Sequence, residues 1–288
     1  MKFPVSVWID YYEELTVEQS IANLAKAGFT HGELSIVHLE QIMEQGTPEA
    51  VGKHLKATAD SFGYTIPQGH LSFCSVRGCP GGLVEEAALE RLKPELDMFA
   101  TAGISKAVLH VGGGKELPPE ERYARWVKNV SALADYVEGT GVTLCLENLP
   151  SIVPTRTAEG LLQLIADAGD KNLAICLDTG HLHLNNKRGE TNQTHGDFIR
   201  TAGDRLQALH IVENNGLGDT HQMPFSARTG LDWVDVMRGL HDIDYKGLFN
   251  LEILGERGGN PAIKAAKLAF IKVMCQEMLS PAFLAVAD

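Results

Sequence analysis

At 288 residues and 44% hydrophobic content, the chain is long enough to bury one large core. Its 25 Lys and Arg against 37 Asp and Glu give a formal net charge of −12, which repels nucleic acid and anionic membranes at long range. No apolar run approaches a membrane span, and the apolar run at Met1 to Asp10 is so short and so soon acidic that no leader is expected. The five cysteines (Cys74, Cys79, Cys145, Cys176 and Cys275) form no CxxC pair, so the expected setting is reducing and cytoplasmic.

Strand-like and helix-like segments alternate from end to end. Strand one covers about Val5 to Asp10. Helix one follows from Thr16 to Ala27, with Thr16 as N-cap, Gln19 in the capping-box place and Gly28 as a stop. Strand two is about Gly32 to Ile36, helix two Pro48 to Phe62, and strand three Thr65 to Leu71. Helix three runs from Val84 to Ala102, with a kink expected at Pro94. Strand four is Lys106 to Val111, and helix four extends from Pro119 to the glycines at 139 and 141. Strand five (Val142 to Asn148), helix five (Thr157 to Ala168) and strand six (Leu173 to Asp178) follow. A short helix near His195 to Ala202, strand seven (Gln207 to Val212), helix seven (Asp232 to His241), strand eight (Gly247 to Ile253) and a last helix (Pro261 to Leu279) complete the chain.

Eight such units predict an α/β chain folded as a single (β/α)₈ barrel domain over residues 1–288. The rival is a doubly wound open sheet. Its phosphate-binding G-x-G-x-x-G is missing after strand one, where Tyr11-Tyr12-Glu13-Glu14 stands instead.

Strand parity adds a functional signal. Side chains alternate faces with period two. In Val142-Thr143-Leu144-Cys145-Leu146-Glu147-Asn148 the leucines share one face, and Thr143, Cys145 and Glu147 the other. Ala174, Cys176 and Asp178, then Ala208 and His210, then Leu248, Asn250 and Glu252 repeat the pattern. Each run thus has an aliphatic face, with Leu146 and Leu177 turned to the helices, and a face that ends in a potential ligand. In a parallel barrel these ends meet at one mouth. His70 and His110 end strands three and four, His181 follows Asp178 by three, and Asp219 and His221 lie two apart after strand seven, where an extended backbone would point both the same way. Singly, each is as well explained as a core histidine, a turn or a helix cap. Jointly they place His or acidic residues at six consecutive strand ends. Carboxylates mixed with imidazoles suit Zn²⁺, Mn²⁺, Co²⁺ or Fe²⁺ better than Ca²⁺. Glu147, Asp178, His210 and Glu252 form the firmest metal set. His70, His110, His181, Asp219, His221 and Glu213 are candidates for a second metal shell or for substrate binding. One ion is expected, with ligands enough for up to three. His31, His38, His54, His183, His195 and His241 read as solvent-facing or structural, and Lys264 and Lys267 as solvated surface.

Leu146-Glu147-Asn148, Cys176 to His181, His210 to Asn215 and Asn250 to Ile253 resemble the xylose isomerase-like TIM-barrel superfamily over nearly the whole chain. That superfamily holds sugar-phosphate isomerases and epimerases and also endonuclease IV. The resemblance to its ketose 3-epimerases implies one divalent metal on Glu147, Asp178, His210 and Glu252. It also implies isomerisation of a small sugar, polyol-derived ketone or related hydroxy-carbonyl compound through an enediolate. Glu147 and Glu252 would be the acid/base pair, His181 would contact a substrate oxygen, and Glu213 would position substrate or the next loop. Those enzymes carry an Arg just after the strand-seven motif, where this chain has Gly216. The endonuclease IV branch carries a multinuclear zinc site whose ligand order all nine metal-ligand positions reproduce, which makes a metal phosphodiesterase the alternative. A non-catalytic metal- or sugar-binding barrel is the third. The acidic balance argues against nucleic acid and membranes as partners, and nothing in the sequence decides for or against a homo-oligomer.

Overall fold

The strand-like runs become short parallel strands, each leading into helix, and this repetition builds the barrel. A computed structural model describes residues 3–73, 82–152, 154–228, 230–256 and 258–285. In chain order the elements are β1 (Val5–Val7), α1 (Val17–Lys26), β2 (His31–Leu34), α2 (Ile36–Met43), α3 (Pro48–Ser61), β3 (Thr65–His70), α4 (Glu86–Ala102) and β4 (Lys106–Leu109). They continue with α5 (Pro119–Tyr136), β5 (Thr143–Glu147), α6 (Ala158–Asp167), β6 (Leu173–Asp178), α7 (Thr179–Lys187), α8 (His195–Ala202), β7 (Leu206–His210), α9 (Trp233–Asp242), β8 (Phe249–Leu251), α10 (Pro261–Met278) and α11 (Pro281–Ala285). Strands β2 to β7 pair in sequence order as one parallel sheet, and β1 pairs parallel with β8. A parallel bridge between Ile211 and Leu251, with the Ile211 amide donating to the Asn250 carbonyl, ties the end of β7 to β8. β1 lies beside β2, so the ring is a (β/α)₈ TIM barrel.

Parity decides what fills each side of the strands. Leu144, Leu146, Ile175, Leu177 and Leu209 belong to the main core between strands and helices. Val108, Cys145, Ala174, Cys176 and Ala208 form a separate buried cluster inside the ring. Small inward residues let the opposite walls of a closed barrel approach. At the N-terminal end of α1, Thr16 Oγ1 accepts from the Gln19 amide while Gln19 Oε1 accepts from the Thr16 amide, the reciprocal cap expected.

Several expectations are corrected. Strand one ends at Val7 and, after Trp8, whose amide still donates to the Leu251 carbonyl of β8, turns into a 3₁₀ segment over Ile9–Tyr12 as the Asp10 carboxylate accepts from the amides of Val37 and His38 at the start of α2. Helices α2 and α7 are additional: Ile36 opens α2 rather than ending a strand, and Asp178, the end of β6 as expected, passes directly into α7. Pro94 lies within α4 without interrupting it. Lys264 is only 5% exposed, with its ammonium paired to Glu14 and set over the Tyr12 ring, so it is not solvated surface. Cys74 and Cys79 lie outside the described residues. Among the described residues no helix is long and apolar enough to cross a membrane.

Candidate metal centre

The strand ends deliver their inward side chains to one buried cluster. His70, Glu147, Asp178, His181, His210 and Glu252 are all buried there, and their potential ligand atoms fall into groups within 4.8 Å of one another. Glu147 is the hub. Its Oε2 lies 2.7 Å from His110 Nε2 and 3.4 Å from His70 Nε2. Its Oε1 lies 3.2 Å from His181 Nδ1 and 3.3 Å from His210 Nδ1. The second glutamate, Glu252, brings Oε2 to 3.3 Å from that same His210 nitrogen. A third group forms beside them: Asp219 Oδ2 is 3.0 Å from His181 Nε2 and 3.3 Å from His221 Nε2.

The imidazoles are aimed by what their far nitrogens touch. His70 Nδ1 is 2.7 Å from the Leu71 carbonyl, His181 Nδ1 2.9 Å from the Asn148 carbonyl, and His221 Nδ1 2.9 Å from the Glu252 carbonyl. For His70 and His221 this leaves Nε2 for the site, whereas both nitrogens of His181 face it, Nδ1 toward Glu147 and Nε2 toward Asp219. Asp178 caps α7, its Oδ1 accepting from the His181 amide at 2.6 Å. Asn148 clamps the end of β6 by donating to the Asp178 carbonyl and accepting from the Asp178 amide. His221 adopts φ of 45°, a left-handed backbone rare for a residue with a β-carbon and typical of functional sites. Asp219 and His221 therefore converge, but not through the extended backbone that their spacing suggested. The Trp8 ring stacks on His221 at 5.9 Å between centroids, and its indole nitrogen donates to the Ile253 carbonyl.

Among the described residues, two buried polar atoms at the centre make no hydrogen bond: Asp178 Oδ2 and His210 Nδ1. An acidic oxygen and an imidazole nitrogen left bare among two further carboxylates fit a divalent cation, which would satisfy all of them at once. The electrostatics agree. Burial pushes the Glu252 carboxyl up to about 7, with the Glu147 and Asp178 charges adding to the push against the His210 and His221 imidazoles. Burial likewise raises Asp178. Burial would raise Glu147 too, but the surrounding imidazoles, chiefly His110 and His210, hold it well below the usual carboxylate range. A cation there would relieve the repulsion among the carboxylates. A cavity of about 450 Å³ opens beside the cluster, walled by Phe73, Leu83 and Leu149 and reaching His110, His181 and Asp219.

Of the two roles expected for Glu213, positioning substrate or the next loop, its contacts belong to the loop. Its carboxylate turns into the loop after β7 and accepts from the backbone amides of Ser226, Ala227 and Leu231, at 2.7, 3.2 and 3.2 Å. Gly230 is required beside it, since a β-carbon there would lie 1.6 Å from Glu213 Oε1. Glu213 thus holds the loop that bears Asp219 and His221 rather than joining their group. Among the residues that strand reasoning passed over is Glu33 on β2, fully buried inside the barrel and 3.0 Å from His210 Nε2. The remaining histidines are peripheral to the cluster. His38 is buried against Asp10, His195 bonds the Thr179 carbonyl, and His54 pairs with Glu18 at the surface.

A family model described as xylose isomerase-like TIM barrel matches residues 21–273. A D-psicose 3-epimerase of Agrobacterium fabrum is 28% identical over 168 residues, 57% of this chain and 53% of that protein. The chain therefore aligns to about half the length of that curated relative. A D-psicose 3-epimerase of Ruminiclostridium cellulolyticum is 26% identical over 266 residues, 88% of this chain and 84% of that one. A crystal structure of a D-psicose 3-epimerase in the presence of D-fructose superposes with a TM-score of 0.77 at 20% identity, covering 96% of this chain and 99% of the other.

Proposed function

The chain belongs to the xylose isomerase-like TIM barrel family, and on that premise we propose that it is a divalent-metal-dependent isomerase or epimerase of a small sugar, polyol-derived ketone or related hydroxy-carbonyl compound. The observation that carries this reading is the bare pair Asp178 Oδ2 and His210 Nδ1, flanked by Glu147 and Glu252 with each carboxylate 3.3 Å from the same imidazole nitrogen. Glu147, Asp178, His210 and Glu252 would hold the ion, and when bound it polarises a carbonyl and stabilises the negative charge that develops on its oxygen. The two glutamates do the proton work. One takes the proton from the carbon next to the carbonyl, and the other returns a proton to the opposite face of that carbon, inverting it. His181, Asp219 and His110 line the adjacent cavity and would hold substrate hydroxyls, while Phe73 and Leu149 would keep water from the carbon skeleton. The named activity of the similar epimerases supports this class of chemistry.

Turnover of candidate ketoses in deuterated water tests it. Solvent deuterium is expected on the carbon next to the carbonyl, and Glu252→Gln is expected to lower that exchange by about 10²–10⁴-fold. Exchange that survives unchanged in the variant removes Glu252 from proton transfer. Turnover without solvent exchange points to a hydride shift.

A second reading has one observation in its favour: nine side chains fall into three groups joined through Glu147, His181 and Glu252, enough for more than one ion. This is the arrangement a metal phosphodiesterase would need. Metal counting on the purified protein separates the two, together with incision assays on abasic-site duplexes at physiological salt. The −12 net charge leads us to expect no incision.

A further inference from the structure

Below the ligands, the barrel interior contains a polar network with no part in the proton chemistry. Glu33 sits at its centre, fully buried on β2. Two side-chain amides and an imidazole nitrogen converge on its two oxygens. Oε2 accepts from Gln68 Nε2 at 2.8 Å and from Asn250 Nδ2, and Oε1 lies 3.0 Å from His210 Nε2. The two amides cannot be turned the other way at no cost. Gln68 Nε2 also donates to the Leu209 carbonyl, and Asn250 Oδ1 accepts from Ser6 Oγ at 2.7 Å. Strand register fixes the group, since Glu33 is the partner of Gln68 and Ser6 of Asn250.

We infer that Glu33 is the positioning residue that fixes the His210 tautomer, holding the proton on Nε2 so that the Nδ1 lone pair faces the metal centre. The inference rests on the reading of His210 as a metal ligand. Its basis is a contrast within the site. His70 and His221 turn Nδ1 to a backbone carbonyl, whereas His210 turns Nε2 to the carboxylate of Glu33. A carboxylate accepting from a ligand imidazole fixes the ring and makes it a more basic donor to the ion. It also leaves Nδ1 without a hydrogen bond, as observed. The substitution Glu33→Gln separates this role from simple packing. A carboxamide must set its NH₂ either against the Gln68 and Asn250 donors or against His210 Nε2. In the second arrangement the imidazole becomes the acceptor at Nε2 and carries its proton on Nδ1, where the ion would bind.

The test uses metal-free protein titrated with Co²⁺, followed by its visible d–d bands, for the unmodified chain, Glu33→Gln and Ser6→Ala. Glu33→Gln is expected to weaken Co²⁺ binding by about 10–100-fold and to alter the bands. Ser6→Ala cuts the far end of the same network but leaves Glu33 and His210 paired, so it is expected to bind as the unmodified chain does. A folded Glu33→Gln protein with unchanged affinity and spectrum would overturn the inference, as would an equal loss in Ser6→Ala. Long-range ¹H–¹⁵N spectra of the metal-free, ¹⁵N-histidine-labelled unmodified protein, recorded at a pH where the ring is neutral, give a second measurement that needs neither variant nor metal. His210 protonated on Nε2 alone supports the inference, and His210 protonated on Nδ1 alone defeats it. If the unmodified protein takes up no Co²⁺, the proposed function fails, and the tautomer spectrum still decides the role of Glu33.

Discussion

One layer below the candidate ligands, the barrel interior has two unlike halves. Strands β4 to β7 contribute Val108, Cys145, Cys176 and Ala208, small and apolar. Strands β1, β2, β3 and β8 contribute Ser6, Glu33, Gln68 and Asn250, all buried and bonded to one another. The apolar half only has to let the chain pass closely beneath Glu147 and Asp178, whose own partners lie at the mouth. The polar half reaches across the barrel to grip His210, which stands on an apolar-half strand. The difference teaches that closing the ring and aiming a ligand are separate tasks with separate prices, since a dry interior penalises any polar group left unpaired.

That contrast can be broken by substitution. The largest effect is expected from Glu33→Ala, which strands donors on His210, Gln68 and Asn250 together. Urea unfolding of the metal-free protein should show a loss of about 3–5 kcal/mol. A loss below about 1 kcal/mol would mean the polar half is not a connected network. Val108→Thr comes next. It adds a hydroxyl of nearly the same shape to the apolar half, where no partner waits, and should cost about 1–3 kcal/mol by the same assay. If it costs nothing, the two halves are interchangeable. Ser6→Ala is expected to be smallest, about 0.5–1.5 kcal/mol for one hydrogen bond at the edge of the network. A larger loss would move the centre of the polar half from Glu33 toward Ser6.

The apolar half was readable in the sequence, but of the polar half only Asn250, in line with Glu252 on strand eight, could be read, for a physical reason. Strands five to seven are long enough for alternation to show, so parity alone put Leu146 and Leu177 toward the helices and Cys145 and Cys176 inside. His31-Gly32-Glu33-Leu34 is four residues long. An acid at an inward position there has the same pattern as one at a solvated edge. Only the strands across the ring, brought together by closure, reveal what Glu33 holds. The helix α7 escaped notice because Thr179–Lys187 is buried nearly all round and carries no one-sided apolar stripe, and its cap is the last residue of a strand. Asp219 and His221 were marked by their spacing, yet they meet through a left-handed turn at His221 that spacing does not encode.

The hold of Glu213 on the amides of Ser226, Ala227 and Leu231 makes the loop after β7 a cassette. Its two candidate ligands, Asp219 and His221, are assembled by a carboxylate that touches none of the strand-borne ones. The centre thus has a chassis, cast with the barrel, and an attachment latched on by one buried acid. A lineage that kept the chassis and discarded the latch would lose only the outermost binding position. Reshaping that single loop would be the short route from one chemistry of this mouth to another.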